Sequence, residues 1–431
     1  MASVSSSTES HIDASQRGNF KAPLAVVTML FFMWGFITCL NDILVPHLKS
    51  VFDLNYTQVM LIQFTFFTAY FIMSLPSGKI ISAVGYQKGI VIGLLTSGAG
   101  TLLFYPAASV PSYPLFLTAL FVLASGITLL QVAANPYVAV LGKPETASSR
   151  LNLTQAFNSL GTTIAPYFGG LFILTSTMLS ADEMHKLSPE ALEAYRLAEA
   201  SSVQMPYVAL AIALIVLAVV MAKFKLPVIA DVEDHHAKAG KLSDALKHKH
   251  LVLGAAAIFV YVGAEVSIGS FLVNFMGQPD IAGLKETAAA GFVSYYWGGA
   301  MVGRFVGSAL LQKINAGKLL ALFAFIASLL VLATIFLSGG AAMWTILAVG
   351  LFNSIMFPTI FTLGIDGLGK LTSQGSSILI MAIVGGAVIP LAQGALADSF
   401  GIQHAFFLPA LCYLYIVYYG WKGHKHNLKA A

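Results

Sequence analysis

The fold is decided by residues 89–142, GIVIGLLTSGAGTLLFYPAASVPSYPLFLTALFVLASGITLLQVAANPYVAVLG, because none of these residues is charged. A helix that crosses a membrane needs about 20 mostly apolar residues. The stretch is therefore long enough for two spans, and the segment 106–114 between them, with a proline at each end, has the composition of a turn. We predict two neighbouring membrane-spanning helices here.

Similar apolar segments recur outward from this stretch along the whole chain. Residues 319–365 lack charges, break at 338–340 and predict two more spans. The full set of predicted spans is 24–45, 58–82, 89–107, 114–140, 151–176, 205–224, 251–276, 287–311, 318–337, 341–364, 375–397 and 403–421. Only 10% of the residues are charged, against about 25% in soluble domains. We therefore predict an all-α integral membrane protein with twelve transmembrane helices whose outer surface contacts lipid.

Lysine and arginine are distributed unequally between the two sides of the membrane. With twelve spans both termini share one side, and the segments on that side carry 19 of the 23 basic residues. Basic residues concentrate in cytoplasmic loops, so we expect both termini in the cytoplasm. The polar, Ser-rich segment 1–16 lacks the apolar core of a removable signal peptide. Because the basic residues are spread over many loops, we expect no nucleic-acid partner.

Four pairs of landmarks indicate an internal repeat. The pairs are Gly78 with Gly303, Pro136 with Pro358, Gly142 with Gly364, and Pro166 with Pro390. The separation along the chain is nearly the same in all four pairs, which predicts two parallel repeats of six spans. The predicted segments are a cytoplasmic tail (1–23), a six-helix half (24–224), a cytoplasmic linker (225–250), a second six-helix half (251–421) and a cytoplasmic tail (422–431).

The repeat places two carboxyl groups at related positions. Asp42 lies late in the first span, and the spacing of the repeat leads from it to Glu265 in the seventh. A charged carboxylate at mid-membrane costs about 2.5–3.5 kcal/mol on insertion scales, so each acid must face a cavity or a partner. Either acid could bind and release a proton or help to coordinate Na⁺. The alternative is a pair of structural acids, and for Asp42 the nearby Pro46 also permits a position at a water-filled helix end.

Amides and aromatic rings form a second group of candidates. Gln131 and Asn353 are related by the same repeat spacing. The candidate solute contacts are Asn41, Gln131, Asn135, Gln155, Asn158 and Asn353, together with the rings of Trp34 and Trp297. Amides both donate and accept hydrogen bonds, as sugar hydroxyls require, and repeated transporters bind solutes near the midplane between repeats. The alternative for each amide is hydrogen bonding between helices.

Several groups that other chemistries need are missing from the predicted spans. No basic residue lies in mid-span, because Lys79 and Arg304 lie near cytoplasmic ends from which their side chains can reach the surface. This favours a neutral solute. The sequence contains no phosphate-binding G-x-x-x-x-G-K-[ST] motif and no G-x-S-x-G or H-E-x-x-H motif, so we expect no enzyme. Cys39 and Cys412 lie in apolar runs and are expected to pack as small apolar side chains.

Five stretches carry a resemblance to a known family. They are FFMWGFITCLNDILVPHLK (31–49), LLQVAANPYVAVLG (129–142), SRLNLTQAFNSLG (149–161), YVGAEVSIGSFLVNF (261–275) and FPTIFTLGIDGLG (357–369). They resemble the fucose/glucose/galactose–cation symporter family of the major facilitator superfamily, over residues 24–421. The resemblance implies sugar uptake driven by a proton gradient, or by Na⁺ in some relatives. It also implies that Asp42, position 131 and Asn158 are functional.

The chain departs from the fucose-transporting branch of that family at two positions. That branch has a glutamate where this chain has Gln131, and an amide where this chain has Glu265. The pattern is therefore closer to the glucose/galactose branch, with N-acetylglucosamine as a close competitor and fucose as a further alternative. We predict symport of a neutral hexose, with Asp42 and Glu265 as the groups that couple it to H⁺ or Na⁺ and with no other cofactor. We expect a functional monomer in the lipid of the bacterial inner (cytoplasmic) membrane.

Two other classes of function stay open. A proton-driven exporter of small organic compounds is favoured by the fifth predicted span, where Gly161, Pro166 and the pair Gly169-Gly170 resemble antiporter helices. A membrane sugar receptor that does not transport is the second. Dye efflux without sugar uptake would support the exporter, and saturable sugar binding without flux would support the receptor.

Overall fold

The computed structural model of the protein describes residues 20–52, 56–110, 112–172, 186–202, 204–227 and 241–425. Within these ranges the side chains of 40–52, 56–60, 169–172, 199, 200 and 202 are not described. The described chain is built from helices, as the sequence predicts.

The first half contains six long helices and one short surface helix. They are α1 (Lys21–Phe52), α2 (Tyr56–Val84), α3 (Tyr86–Ser109), α4 (Tyr113–Val140), α5 (Ala147–Phe172), α6 (Pro189–Ser202) and α7 (Gln204–Lys223). Within this half α1 packs on α5, and α3 packs on α4 and α7. A buried face of small and apolar side chains on α4, from Phe116 to Ala139, forms the centre of the half.

The second half repeats this plan with more interruptions. Its helices are α8 (Leu242–Ala245), α9 (Lys249–Met276), α10 (Glu286–Leu310), α11 (Ala316–Phe336), α12 (Gly339–Asn353), α13 (Met356–Ile365), α14 (Thr372–Met381), α15 (Gly385–Phe400), α16 (Ile402–Ala405) and α17 (Phe407–Tyr418). The helices α12 and α13 together occupy the tenth predicted span, and α14 and α15 occupy the eleventh. Here α10 packs on α12, α11 on α17, and α9 on α15.

Ten helical stretches in the described residues are long and apolar enough to cross a membrane. The other two predicted spans, 151–176 and 287–311, correspond to α5 and α10, which are less apolar. These two helices pack on each other between the halves. Protein covers part of their surface, so they need less apolar side-chain area than a helix surrounded by lipid. The total of twelve spans stays a prediction.

Among the described residues, the most extensive helix contacts between the halves are those of α5 with α10 and of α2 with α14. The repeat exchanges these pairs, because α10 is the counterpart of α2 and α14 belongs to the counterpart of α5. The fold is thus two six-helix bundles that meet through related surfaces. The bounds of the predicted segments stay predictions, since 1–19 and 228–240 lie outside the described residues.

Hydrogen bonds join the halves at the end of the bundle where α1 begins and α17 ends, which we call the closed end. The hydroxyls of Ser82 and Ser373 are 2.8 Å apart. The Ser149 hydroxyl donates to the Ser308 carbonyl oxygen at 2.7 Å, and the Ser308 hydroxyl donates to the Ser149 carbonyl oxygen at 3.0 Å. The repeat relates the two pairs approximately, because its spacing leads from Ser149 to Ser373 and from Ser82 to within one residue of Ser308. Each half therefore supplies one hydroxyl to each pair.

Candidate functional site

A helix break in the second half organises the candidate site. Helix α12 ends at Asn353 and α13 begins at Met356. Pro358 has no backbone N–H, and its ring crowds the carbonyl group four residues earlier, which belongs to Ser354. The Ser354 carbonyl oxygen instead accepts a hydrogen bond from Arg304 Nε at 3.3 Å. The break therefore supplies backbone oxygen atoms to side chains of neighbouring helices.

Glu265 lies next to this break on α9 and is half-buried. Its Oε1 accepts a hydrogen bond from the Tyr261 hydroxyl at 2.7 Å. The same hydroxyl lies 3.1 Å from the Asn353 carbonyl oxygen. Tyr261 stands one helical turn before Glu265, so the two side chains share one face of α9. A carboxylate with one firm donor and some remaining exposure can still receive a cation.

Two further tyrosines complete what we call the Glu265 cluster, which consists of Tyr261, Glu265, Tyr296, Asn353 and Tyr413. Asn353 Nδ2 donates to the Tyr296 hydroxyl at 2.7 Å. Tyr296 donates in turn to the backbone carbonyl of Glu265 at 3.3 Å. Tyr413, which is fully buried on α17, lies beside Tyr296 and Asn353. The cluster thus links four elements of the second half around one carboxylate.

Arg304 contradicts the expectation that its side chain extends to the membrane surface. The residue is half-buried, and its Nη1 donates to the Ser159 hydroxyl of the other half. Asn152 Nδ2 donates to the Arg304 backbone carbonyl at 3.0 Å. Because α10 runs between the halves, the guanidinium finds protein acceptors in place of water. A cation therefore does lie between the halves, and the neutrality of the solute no longer follows from the lack of one.

The amides of the first half form two hydrogen-bonded groups on α4 and α5. Gln131 Nε2 donates to the Tyr70 hydroxyl at 2.5 Å. Gln155 Nε2 lies 3.5 Å from Asn135 Oδ1. Asn135 is fully buried, and its Nδ2 has no hydrogen-bond partner among the described residues. That amide nitrogen can serve a solute or a water molecule, because a buried donor without a partner is costly.

Asn158 joins α5 to α1, since its Nδ2 donates to the Phe31 carbonyl oxygen at 2.9 Å. The next residue, Ser159, is the one that Arg304 contacts across the halves. Asn158 is therefore adjacent in sequence to the first-half contact of Arg304, while its own side chain holds α1.

Trp34 lies apart from these groups, whereas Trp297 contacts Tyr296 of the Glu265 cluster. Trp34 lines a small apolar cavity inside the first half, next to Leu94, Ile127 and Leu214. Trp297 is 44% exposed on α10 and packs edge-on against Tyr296. Their contact with a sugar stays a prediction. Asn41 and Asp42 belong to α1, but their side chains lie outside the described part of the structure, so their roles also stay predictions.

Sequence reasoning missed four residues that the structure brings to the site. Tyr261 could have been found from its i, i+4 spacing to Glu265, and Arg304 from its place in the repeat opposite Lys79. Tyr70 and Tyr413 carry no such signal. Each becomes visible only when neighbouring helices pack.

Comparison with known families decides the identity of the fold. A model of the Major Facilitator Superfamily matches residues 25–382. The chain belongs to this superfamily. The expected fold is confirmed, and the chain is a multi-pass membrane transporter and not an enzyme.

Named relatives and a solved structure are similar over nearly the whole of this transporter. The glucose/galactose transporter of Brucella abortus biovar 1 (strain 9-941) is 57% identical over 424 residues, which cover 98% of this chain and 99% of the relative. The L-fucose-proton symporter of Escherichia coli (strain K12) is 37% identical over 94% of this chain and 93% of the relative. The crystal structure of a Major Facilitator Superfamily transporter, FucP, in the outward conformation, superimposes with a TM-score of 0.89. It covers 95% of this chain and 100% of the solved chain at 36% identity. The resemblance that the sequence motifs carry is thereby confirmed.

Proposed function

We propose that the protein takes up glucose or galactose together with a cation by alternating access of its two halves. The observation that carries the proposal is the Glu265 cluster, which holds one half-buried carboxylate beside a helix break. Relatives named as sugar transporters and sugar–proton symporters support the substrate class.

Glu265 has the properties of a group that binds the coupling cation. Its Tyr261 partner holds one carboxylate oxygen in place, while the remaining exposure leaves access for H⁺ or Na⁺. A carboxylate in a membrane is costly unless paired or hydrated, so neutralisation by a cation changes its energy strongly. Asp42, at the related position of the first half, is proposed as the second coupling acid.

The sugar is proposed to bind between the halves, against amides. Gln131, Asn135, Gln155 and Asn158 of the first half and Asn353 of the second offer donors and acceptors, with Asn41 as a further candidate. The Asn135 Nδ2 atom, which lacks a described partner, is the donor best placed to gain a hydroxyl acceptor. Trp34 and Trp297 are weaker candidates, since one faces the interior of a half and the other lies on α10.

The exchange of acid and amide between spans four and seven favours glucose or galactose over fucose. Gln131 occupies the position at which the fucose branch has an acid, and Glu265 supplies the acid from another helix. N-acetylglucosamine is the main alternative substrate.

We further propose that the transporter works as a monomer in the bacterial inner membrane with both termini in the cytoplasm. The excess of basic residues on the side of the termini supports this orientation. The closed end is then the cytoplasmic end.

Uptake of labelled glucose by proteoliposomes tests the proposal. A proton gradient and a Na⁺ gradient are imposed separately, with unlabelled galactose, N-acetylglucosamine and fucose as competitors. We expect accumulation with one of the two gradients and strongest competition by galactose. Absence of uptake and of competition under both gradients would remove the hexose assignment, and dye efflux in the same vesicles would support the exporter.

A further inference from the structure

Arg304 connects the Glu265 cluster to the contact between the halves. Its Nη1 donates to Ser159 of α5, across the halves. Its Nε donates to the Ser354 carbonyl that Pro358 leaves without a helical partner. The carbonyl oxygen of the preceding residue, Asn353, lies 3.1 Å from the Tyr261 hydroxyl, which donates to the carboxylate of Glu265 at 2.7 Å, so the guanidinium charge lies near that carboxylate. One side chain thus contacts the opposite half and the helix break, and its positive charge attracts the nearby carboxylate of Glu265.

The attraction between Arg304 and Glu265 depends on how dry their surroundings are. Opposite charges interact several times more strongly inside a protein than in water. In the closed form the guanidinium lies between the halves, where Ser159 and Asn152 of the first half contact its residue. Separation of the halves at this end removes those contacts and admits water, which screens the charges. The attraction is therefore stronger when this end is closed.

We propose that Arg304 is a positioning residue that makes contact between the halves at the closed end depend on the charge of Glu265. An ionised Glu265 offsets the cost of burying the guanidinium and strengthens the closure. When a cation neutralises Glu265, this attraction is lost and the closure becomes weaker. The dependence is reciprocal, because the free energy that couples two events acts equally on both.

Arg304 is the charged group near Glu265 that can make closure depend on the charge of this acid. Among the described residues the ionisable groups that act on its carboxylate or lie beside it are Tyr261, Tyr296 and Tyr413, with Arg304. The tyrosines are neutral near pH 7, which leaves Arg304 as the charged one. Its counterpart in the first half, Lys79, is exposed, so the proposed link between a buried cation and closure involves the second half only.

The inference rests on the proposed role of Glu265 as the cation-binding acid, and it gives that role a direction. Binding of the cation from outside would loosen the cytoplasmic closure and permit opening to the cytoplasm. Release of the cation would restore the charge and favour closure again. This is the order of events that uptake needs.

A disulfide between Ser82→Cys and Ser373→Cys measures closure at a place that Arg304 does not contact. The two hydroxyls are 2.8 Å apart in the closed form, and these positions belong to the α2–α14 contact. The rate of oxidative cross-linking is followed by mass spectrometry of the linked peptides in the full-length protein. Single-cysteine variants control for Cys39 and Cys412. We compare Glu265→Gln, Arg304→Gln and the double variant in this background.

We expect Glu265→Gln to slow cross-linking about five-fold, in the range of typical coupling energies. In the Arg304→Gln background the same Glu265→Gln change should have no further effect. Arg304→Lys should keep the dependence on Glu265, because it keeps the charge, and Lys79→Gln should leave both rates unchanged.

Equal effects of Glu265→Gln with and without Arg304 would overturn the inference, since they would show that Arg304 supports closure only by packing. Arg304→Lys also keeps the test valid if Arg304→Gln fails to fold. Cross-linking requires no transport, so its outcome is separate from that of the proposed function. If sugar uptake fails while the two substitutions remain non-additive, the proposed substrate is wrong and the link between Arg304 and Glu265 stands.

Discussion

Glu265 combines a fixed hydrogen bond from Tyr261 with residual exposure, and this combination gives its substitution a specific expected effect. Glu265→Gln keeps the size of the side chain and removes its charge. We expect loss of uphill sugar accumulation, while exchange of sugar across the membrane continues, because exchange needs no net movement of the cation. Accumulation and counterflow are measured in the same vesicles. Glu286→Gln, an exposed acid at the start of α10, is the matched control, and unchanged accumulation in Glu265→Gln would remove the residue from coupling.

Gln131 offers a second test at the scale of one side chain. Its amide nitrogen is bound by Tyr70, so its carbonyl oxygen is the atom left for a sugar hydroxyl. Gln131→Ala should raise KM for the sugar about ten-fold, which corresponds to about 1.4 kcal/mol of lost binding. Tyr70→Phe keeps Gln131 but frees its orientation, and we expect a smaller rise in KM. A KM that is unchanged in Gln131→Ala would leave this residue with a purely structural role.

The sequence reached some of these residues and missed others for physical reasons. The repeat identified Glu265 and Gln131, because an internal repeat can be detected from the sequence alone. It could not identify the direction of the Arg304 side chain, which depends on the packing of α10 against α5. Trp34 shows the same limit, since only the packing of α1 against α3, α4 and α7 reveals which way its ring faces.

At the scale of helices, each half has a proline inside a span whose unpaired backbone carbonyl accepts a hydrogen bond from a side chain of another helix. Pro136 leaves the carbonyl of Val132 without its helical donor, and Ser376 of the other half supplies a hydrogen bond at 2.9 Å. Pro358 does the same to Ser354, and Arg304 supplies the donor. The positions of the prolines were visible in the sequence. Their donors were not, because one comes from the opposite half and the other from a neighbouring helix.

Close packing of α10 against α12 depends on Gly350. A Cβ atom at this position would overlap the Tyr296 carbonyl oxygen, which belongs to rigid helix backbone. Gly350→Ala should therefore cost about 1–3 kcal/mol through overpacking and lower the melting temperature of the detergent-solubilised protein. Gly340→Ala on the same helix, where the space within 4 Å is empty, is the control and should melt as the parent does. Equal melting of the two variants would show that α10 and α12 can move apart at little cost.

At the scale of the whole molecule, small hydroxyl groups are among the contacts that join the halves at the closed end. Hydroxyls exchange a protein partner for water at a small net cost, about 0.5–1.5 kcal/mol each. Such a contact can open and close repeatedly. The sequence predicted the two halves but not their closed end, because a transporter that alternates between forms has the same sequence in all of them.

A cross-link at this end tests whether transport requires it to open. The hydroxyls of Ser149 and Ser308 are 3.3 Å apart in opposite halves. Ser149→Cys with Ser308→Cys should stop sugar uptake under oxidation and restore it under reduction. The control is Thr334→Cys with Thr345→Cys, whose hydroxyls are 2.9 Å apart but belong to one half. Uptake that continues in the oxidised Ser149/Ser308 variant, with the disulfide verified by mass spectrometry, would contradict alternating access at this end.

The modest hydrophobicity of α5 and α10 also has a consequence for biogenesis. Insertion from the translocon depends on the apolar character of each segment, and these two helices are among the least apolar of the long ones. One helix that covers α5 is α10, which the ribosome completes only after the described helices α6 to α9 have been made. In the meantime α5 can rely on α1, against which it also packs. We therefore expect α5 to reach its final packing only after α10 has been made, although α5 itself is synthesised earlier.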